Sequence, residues 1–272
     1  MSHMDRHIKL EGSSNFRDIG GYRTRDGRHV RWGCVYRSGT MHQFSASAWR
    51  WMSARDIRAV CDLRSIEERE LAPTRWGGPP HTRQIGADYA ATYLFPNTAD
   101  SHETGVNAVS DGLYVTLPRL LAPSFRAMFN ALLAAQTPLV VHCTAGQDRT
   151  GLAIGLLLHV LDVPHNTIVE DYLLSTRCRL IENEIQPADI LSASNRNAFA
   201  HYYAQVLERH GKAALGPREL VDRSGNALLL RAFAGIEAEW ASLDHYLQEA
   251  LNLRPTDIVA LQQICLCDDV SR

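Results

Sequence analysis

Lysine is nearly absent from this chain: only Lys9 and Lys212 occur among 272 residues. Arginine supplies the remaining cations, and Lys plus Arg total 28 against 30 Asp plus Glu, a formal net charge of −2. No bulk basicity therefore recruits nucleic acid or an anionic membrane. A bias in genome composition explains the Arg preference as easily as a need for phosphate-binding forks. Long apolar runs are also missing. The most apolar stretch, Leu152–Leu161, falls far short of the ~20 residues of a membrane span. Cysteine is sparse and irregular, at positions 34, 61, 143, 178, 265 and 267, which excludes a secreted disulfide framework. Cys265-x-Cys267 lacks a second ligand pair at zinc spacing and reads as incidental. No internal repeat or low-complexity linker divides the chain. Met1-Ser2-His3-Met4 reads as a cloning remnant without a signal-peptide pattern, and cytoplasmic and secreted fates both stay open.

Short β-prone pieces alternate with helices as far as Pro164. His29–Tyr36 predicts a strand, Ser45–Arg55 a helix carrying Trp49 and Met52, and Ile57–Leu63 a strand ending at Asp62-Leu63-Arg64. Ser65–Leu71 predicts a short charged helix, opened by Ser65-x-x-Glu68 at capping-box spacing. A strand near Thr82–Ile85 follows the Pro79-Pro80 break. Residues 96–112 have no periodicity and predict a long loop. Leu117, Leu120, Leu121, Phe125, Met128, Phe129 and Leu132 then recur at helical spacing, with Pro118 in the first turn and a break or restart at Pro123. Next come a buried strand at Pro138–His142, a loop at Cys143–Asp148 and an apolar helix at Arg149–Leu161. Past Pro164 only helices are predicted, at Asn166–Ser175, Thr176–Ile185, Asn195–His210, Leu228–Asn252 and Thr256–Cys265. This order predicts one α/β domain over residues 12–272, with a central, mostly parallel sheet of about four or five strands flanked by helices. The C-terminal half, about 165–265, is expected to be all-helical, and Asn195–His210 is expected to cover the functional loop.

That loop carries the chemistry. A buried strand delivers Cys143 to a short turn, and a helix starts where the turn ends. Thr144, Ala145, Gly146 and Gln147 therefore present backbone N–H groups to one point at a helix N-terminus, a ready anion site. The same dipoles and the nearby Arg149 stabilise a thiolate at Cys143. Arg149 can turn its planar fork over the loop and grip two oxygens of a phosphoryl group. Gly146 permits the tight turn, and Thr150 can hydrogen-bond the sulfur as it leaves. A lone buried Cys would read as an inert core thiol; strand, loop and helix together with His142, Gly146, Arg149 and Thr150 argue otherwise.

His142-Cys143-x₅-Arg149-Thr150 resembles the signature of the cysteine-dependent protein tyrosine and dual-specificity phosphatases. Asn15-Phe16-Arg17-Asp18-Ile19-Gly20-Gly21, Tyr36-Arg37-Ser38, Asp62-Leu63-Arg64 and Cys143-x-x-Gly146-x-Asp148-Arg149 are similar in order and spacing to the bacterial atypical phosphatases of the mycobacterial PtpB type. The likeness runs from about residue 12 to about 180. It implies a tyrosine-phosphatase-like fold, a phosphocysteine intermediate on Cys143, inhibition by phosphate or vanadate, and no metal or other cofactor. The implied substrate is a phosphotyrosine protein or peptide, with phosphoserine, phosphothreonine and phosphoinositides as further substrates. The subgroup often carries Lys where this chain has Gln147, and the neutral side chain argues against multiply phosphorylated lipids. A non-catalytic phosphate-binding pseudophosphatase is the competing class, and the presence of both Cys143 and Arg149 speaks against it.

The proton donor to the leaving oxygen is open at this level. The Trp-Pro-Asp tripeptide of typical tyrosine phosphatases does not occur here. Asp148, just before the signature Arg, is the favoured acid, with Asp100 and Asp111 in the long loop next; Asp148 could instead merely cap its helix. Asp18, Arg37, Asp62 and Arg64 read either as a charged shell bracing the loop or as solvated surface pairs. His159 reads as a core histidine, and Trp49 and Trp51 as packing residues.

Overall fold

The structure, a computed structural model, describes residues 6–95 and 106–268. Its first half runs β1 (Arg17–Asp18), β2 (His29–Val30), β3 (Val35–Ser38), α1 (Ala46–Ala54), β4 (Ala59–Asp62), α2 (Ile66–Leu71) and β5 (Arg83–Ile85). A 3₁₀ turn at Ala91–Leu94 precedes α3 (Val106–Leu133), β6 (Leu139–His142) and α4 (Asp148–Val160). The second half holds α5 (His165–Leu173), α6 (Ser175–Cys178), α7 (Pro187–Ala193), α8 (Ala198–His210), α9 (Leu228–Trp240), α10 (Leu243–Glu249) and α11 (Pro255–Cys265), then β7 (Leu266–Cys267).

The main sheet has the order β1-β3-β6-β4-β5, parallel throughout except for the edge strand β1. β6 is central: Leu139 sits opposite Val35 on one side and Ala59 on the other, and His142 opposite Ser38 and Asp62. Three sequence motifs therefore leave the sheet at one end, after β3, β4 and β6. That is where open parallel sheets place their ligands. Side chains alternate between two cores as period-2 strands require. Val35, Ala59, Cys61, Leu139 and Val141 join the large core under α3, α4 and α9, whereas Tyr36, Val60 and Val140 face α1. Trp51 stacks edge-on to Phe16 and Tyr36, and Trp49 lies against Phe44 and Trp76, so both tryptophans are packing residues.

Several expectations are corrected. The strand expected over His29–Tyr36 is two strands, because Gly33 turns the chain with φ +70° and its N–H donates to Asp18 Oδ2. Residues 106–112 of the expected loop are already helical, and α3 continues through Pro123 without a break. Burial explains its persistence: Tyr114, Leu117, Leu121, Phe125 and Phe129 form one fully buried stripe, and packing of such a face outweighs local propensity. The helical region of 165–265 closes on a strand. β7 pairs antiparallel with β2, and Val221 bridges Ala227. Leu228–Asn252 divides into α9 and α10 at Ala241, which is left-handed (φ 66°) and precedes the Ser242 cap. Cys267 lies in this return strand and Cys265 ends α11, with Cys265 Sγ 3.7 Å from Cys34 Sγ.

Candidate active site

Cys143 follows the last residue of the central strand and is buried. The loop after it is held by its carbonyls. Thr40 N–H donates to Thr144 O at 2.9 Å, Asn15 Nδ2 to Ala145 O at 3.1 Å and to Gly146 O at 2.7 Å, and Arg37 Nη2 to Gly146 O at 3.0 Å. With the carbonyls tied on one side, the amides are left on the other. Among the described residues none of the N–H groups of 144–149 has a protein acceptor. Backbone donors are rarely left unpaired away from water, so this ring of amides asks for an anion. Gly146 has φ +64°, and a Cβ there would lie 2.4 Å from Ser38 O, which requires glycine.

The tether is itself anchored in the core. Arg17 Nε donates to Asp171 Oδ1 (3.2 Å), Arg37 Nη1 to Asp171 Oδ2, and Tyr22 Oη to Asp171 Oδ1 (3.0 Å). Burial would raise the Asp171 carboxyl, but Arg37 and then Arg17 hold it down at about 2. Removing one partner from such a buried set costs about 3–5 kcal/mol, so the loop rests on a stiff base.

Arg149 opens the first turn of α4 and is clamped. Its Nη1 and Nη2 donate to Glu68 Oε2 and Oε1 at 2.5 and 2.7 Å, and Nη1 also reaches Tyr89 Oη at 2.9 Å. Glu68 accepts as well from Ser65 N–H at 2.9 Å, closing the predicted capping box, and from the Thr144 hydroxyl. Burial works against its charge, yet Arg149 together with the hydrogen bonds from Thr144 and Ser65 holds the carboxyl below its usual value. Glu68 thus fixes both the fork and the loop's first residue. It was legible as a cap and not as the partner of Arg149.

Asp148 is the first residue of α4, and its Oδ1 accepts from the Tyr114 hydroxyl. Asp100 lies outside the described residues, as does the side chain of Asp111. The Gln147 side chain is turned away from solvent. It is buried, with Oε1 accepting from Arg179 Nη1 at 3.1 Å and Nε2 donating to Asp148 Oδ1 at 3.3 Å. Thr150 Oγ1 is buried without any hydrogen-bond partner among the described residues, including the sulfur it was expected to reach.

The charged shell divides. The Asp18 oxygens accept from Gly20 and Gly33 N–H, both at 2.8 Å, and shape the turns beside β1. Asp62 binds Arg64 at 2.9 and 2.7 Å, and Arg64 donates to Ala72 O and to the hydroxyl of Thr40, the residue tied to Thr144. They act on the loop one bond removed. Burial pushes His142 down to about 4; burial would raise Asp62, but His142 and Arg64 bring it to about 2. His159 is partly exposed and pairs with Asp244 at 2.9 Å rather than sitting in the core.

A third apolar cluster, apart from the two sheet cores, joins Ala72 and Ala91 to Ile190, Phe199, Ala200 and Leu207 of α7 and α8. Asn197 Nδ2 fastens it to Glu67 O at 2.9 Å, and Tyr202 stacks on Phe95 with 3.7 Å between ring centroids. Burial, Tyr202 and Glu68 raise the Tyr203 phenol well above its usual value, and Arg149 and Asp148 also act on it. α7 and α8 thus pack on the end of α2 and on the 3₁₀ turn at Ala91–Leu94.

A family model described as the tyrosine phosphatase family matches residues 8–267. The chain belongs to that family. It is 28% identical over 251 residues to the Cupriavidus necator protein named "Putative tyrosine-protein phosphatase H16_A0669", covering 90% of this chain and 84% of that one. It is also 28% identical over 194 residues to "Triple specificity protein phosphatase PtpB" of Mycobacterium tuberculosis, covering 61% and 68%. The family match thus runs well past residue 180, whereas the match to PtpB covers 61% of the chain. No helix among the described residues is long and apolar enough to cross a membrane.

Proposed function

We propose that this tyrosine phosphatase hydrolyses phosphotyrosine in proteins or peptides through a phosphocysteine intermediate on Cys143. One observation carries the reading: the unpaired amides of 144–149 beside Cys143, with the Arg149 fork locked by Glu68. The sulfur attacks phosphorus in line with the ester oxygen, the S–P bond forms and the P–O bond to the tyrosine breaks. The amides and Arg149 hold the three equatorial oxygens and take up the charge spread over them. Asp148 gives its proton to the departing phenolate, then takes one from the water that cleaves the S–P bond and restores the thiolate. Arg179 already holds Glu184 at 3.0 and 2.6 Å, which leaves little charge beside Gln147 for a second phosphate and favours phosphotyrosine over phosphoinositides. Phosphate release from phosphotyrosine, phosphoserine and phosphothreonine peptides and phosphoinositide vesicles, in chelator, tests this order. Phosphotyrosine is expected first, with weaker dual specificity; a preference for lipid, or binding without turnover, would contradict it.

Asp148→Asn should slow hydrolysis of alkyl and unactivated phenyl phosphates by roughly 10²–10⁴-fold, and that of activated aryl phosphates far less. Equal losses on both would move the acid role elsewhere.

The pair α7 and α8 is proposed as a mobile cover. What supports this is its separate small cluster, joined to the rest by Phe95, because few shared apolar contacts make an element cheap to open. Amide exchange over Asn197–His210 should slow when vanadate occupies the loop. Unchanged exchange would count against the cover.

A further inference from the structure

Two buried phenols stand behind the acid and are not used by the mechanism above. Tyr114 of α3 and Tyr172 of α5 are fully buried and hydrogen-bonded to each other, and Tyr114 also bonds Asp148 Oδ1. A phenol carries one proton. Where Tyr114 gives its proton to the carboxylate, Tyr172 must donate to Tyr114, and the chain runs Tyr172 to Tyr114 to Asp148. Burial first, and then the Asp148 charge, raise both phenols well above their usual value, so they remain protonated donors at neutral pH. Tyr172 is seated by a glycine: a Cβ on Gly151, in the first turn of α4, would lie 2.7 Å from its ring. Oδ1 is further occupied by Gln147 Nε2, whereas among the described residues no group donates to Oδ2.

We propose that Tyr114, backed by Tyr172, is a positioning residue for the general acid. By occupying Oδ1 it leaves the transferable proton on Oδ2, and it stabilises the carboxylate that forms when that proton leaves. In the first step the Oδ2 proton moves to the ester oxygen as the P–O bond breaks, while the two phenolic protons stay where they are. In the second step the attacking water returns a proton to Oδ2 as the S–P bond breaks. Linked donors strengthen one another, so loss of the outer hydroxyl is felt at the acid as well.

This inference rests on Asp148 as the acid, and the test separates the two. Tyr114→Phe removes one hydroxyl and keeps the ring. Hydrolysis of unactivated phenyl phosphate should fall about tenfold, the loss expected for one hydrogen bond to a charged group. Activated aryl phosphates should change far less. The alkaline limb of the kcat/KM profile should move up by roughly one pH unit, because the carboxylate has lost a donor. Tyr172→Phe should show both effects in the same direction and smaller. A uniform loss on all substrates, or an unmoved alkaline limb, in a folded Tyr114→Phe would overturn the proposal while Asp148→Asn keeps its leaving-group dependence. A flat leaving-group dependence in Asp148→Asn would instead remove the acid assignment beneath it. Should Tyr114→Phe not fold, Tyr172→Phe decides by the same two readouts.

Discussion

Cys143→Ser should lose at least about a hundredfold of turnover on a phosphotyrosine peptide and still bind phosphate or vanadate. The two halves of this result come from different atoms. Turnover needs a sulfur that is ionised and soft enough to attack phosphorus, and a hydroxyl at neutral pH is neither. Binding needs the amides of 144–149 and the Arg149 fork, and neither is touched by exchanging sulfur for oxygen. The carbonyls of Thr144, Ala145 and Gly146 remain tied by Thr40, Asn15 and Arg37, so the loop keeps its shape in the variant. Phosphate release together with isothermal titration of vanadate would measure both. Residual turnover well above a hundredth of wild type, or loss of oxyanion binding along with turnover, would contradict the assignment.

Arg149→Lys is the second large effect, expected at roughly 10²–10³-fold in kcat, the scale of a lost oxyanion donor. The charge is conserved and the fork is not. Arg149 spends one edge on the two oxygens of Glu68 and must offer donors to the phosphoryl group at the same time. A planar guanidinium with five N–H groups does both, whereas an ammonium satisfies one partner at the expense of the other. A loss confined to KM would mean that Arg149 binds ground state and transition state alike.

What was legible in the chain was local. Strand β6, its loop and α4 follow one another without a gap, so a buried run, a turn and an apolar helix are enough to place Cys143 and Arg149. The groups that set the loop's geometry come from far along the chain, and each has a sufficient local reason for its identity. Glu68 completes a helix cap, which hides its second use as the partner of Arg149. Tyr114 lies three residues before Leu117, at the spacing of the predicted helix. The aperiodic stretch 96–112, read as a loop, and Pro118, placed in the first turn, masked that extension of the stripe. Asp171 and Arg179 look like ordinary charges on a helical stretch. Only the fold shows Asp171 buried against Arg17 and Arg37, and Arg179 bonded to Glu184 and Gln147. Strand order was equally out of reach, because β6 enters between β3 and β4 through pairings across roughly a hundred residues.

Rapid quenching tests the central claim most directly. The enzyme is mixed with a ³²P-labelled phosphotyrosine peptide, stopped within milliseconds under conditions that preserve a thiophosphate ester, and digested for mass spectrometry. Label is expected on the peptide containing Cys143, present in wild type, increased where Asp148→Asn slows breakdown by water more than it slows attack on an activated substrate, and absent in Cys143→Ser. Single-turnover hydrolysis with no label on Cys143 at any quench time, or label retained in Cys143→Ser, would contradict it.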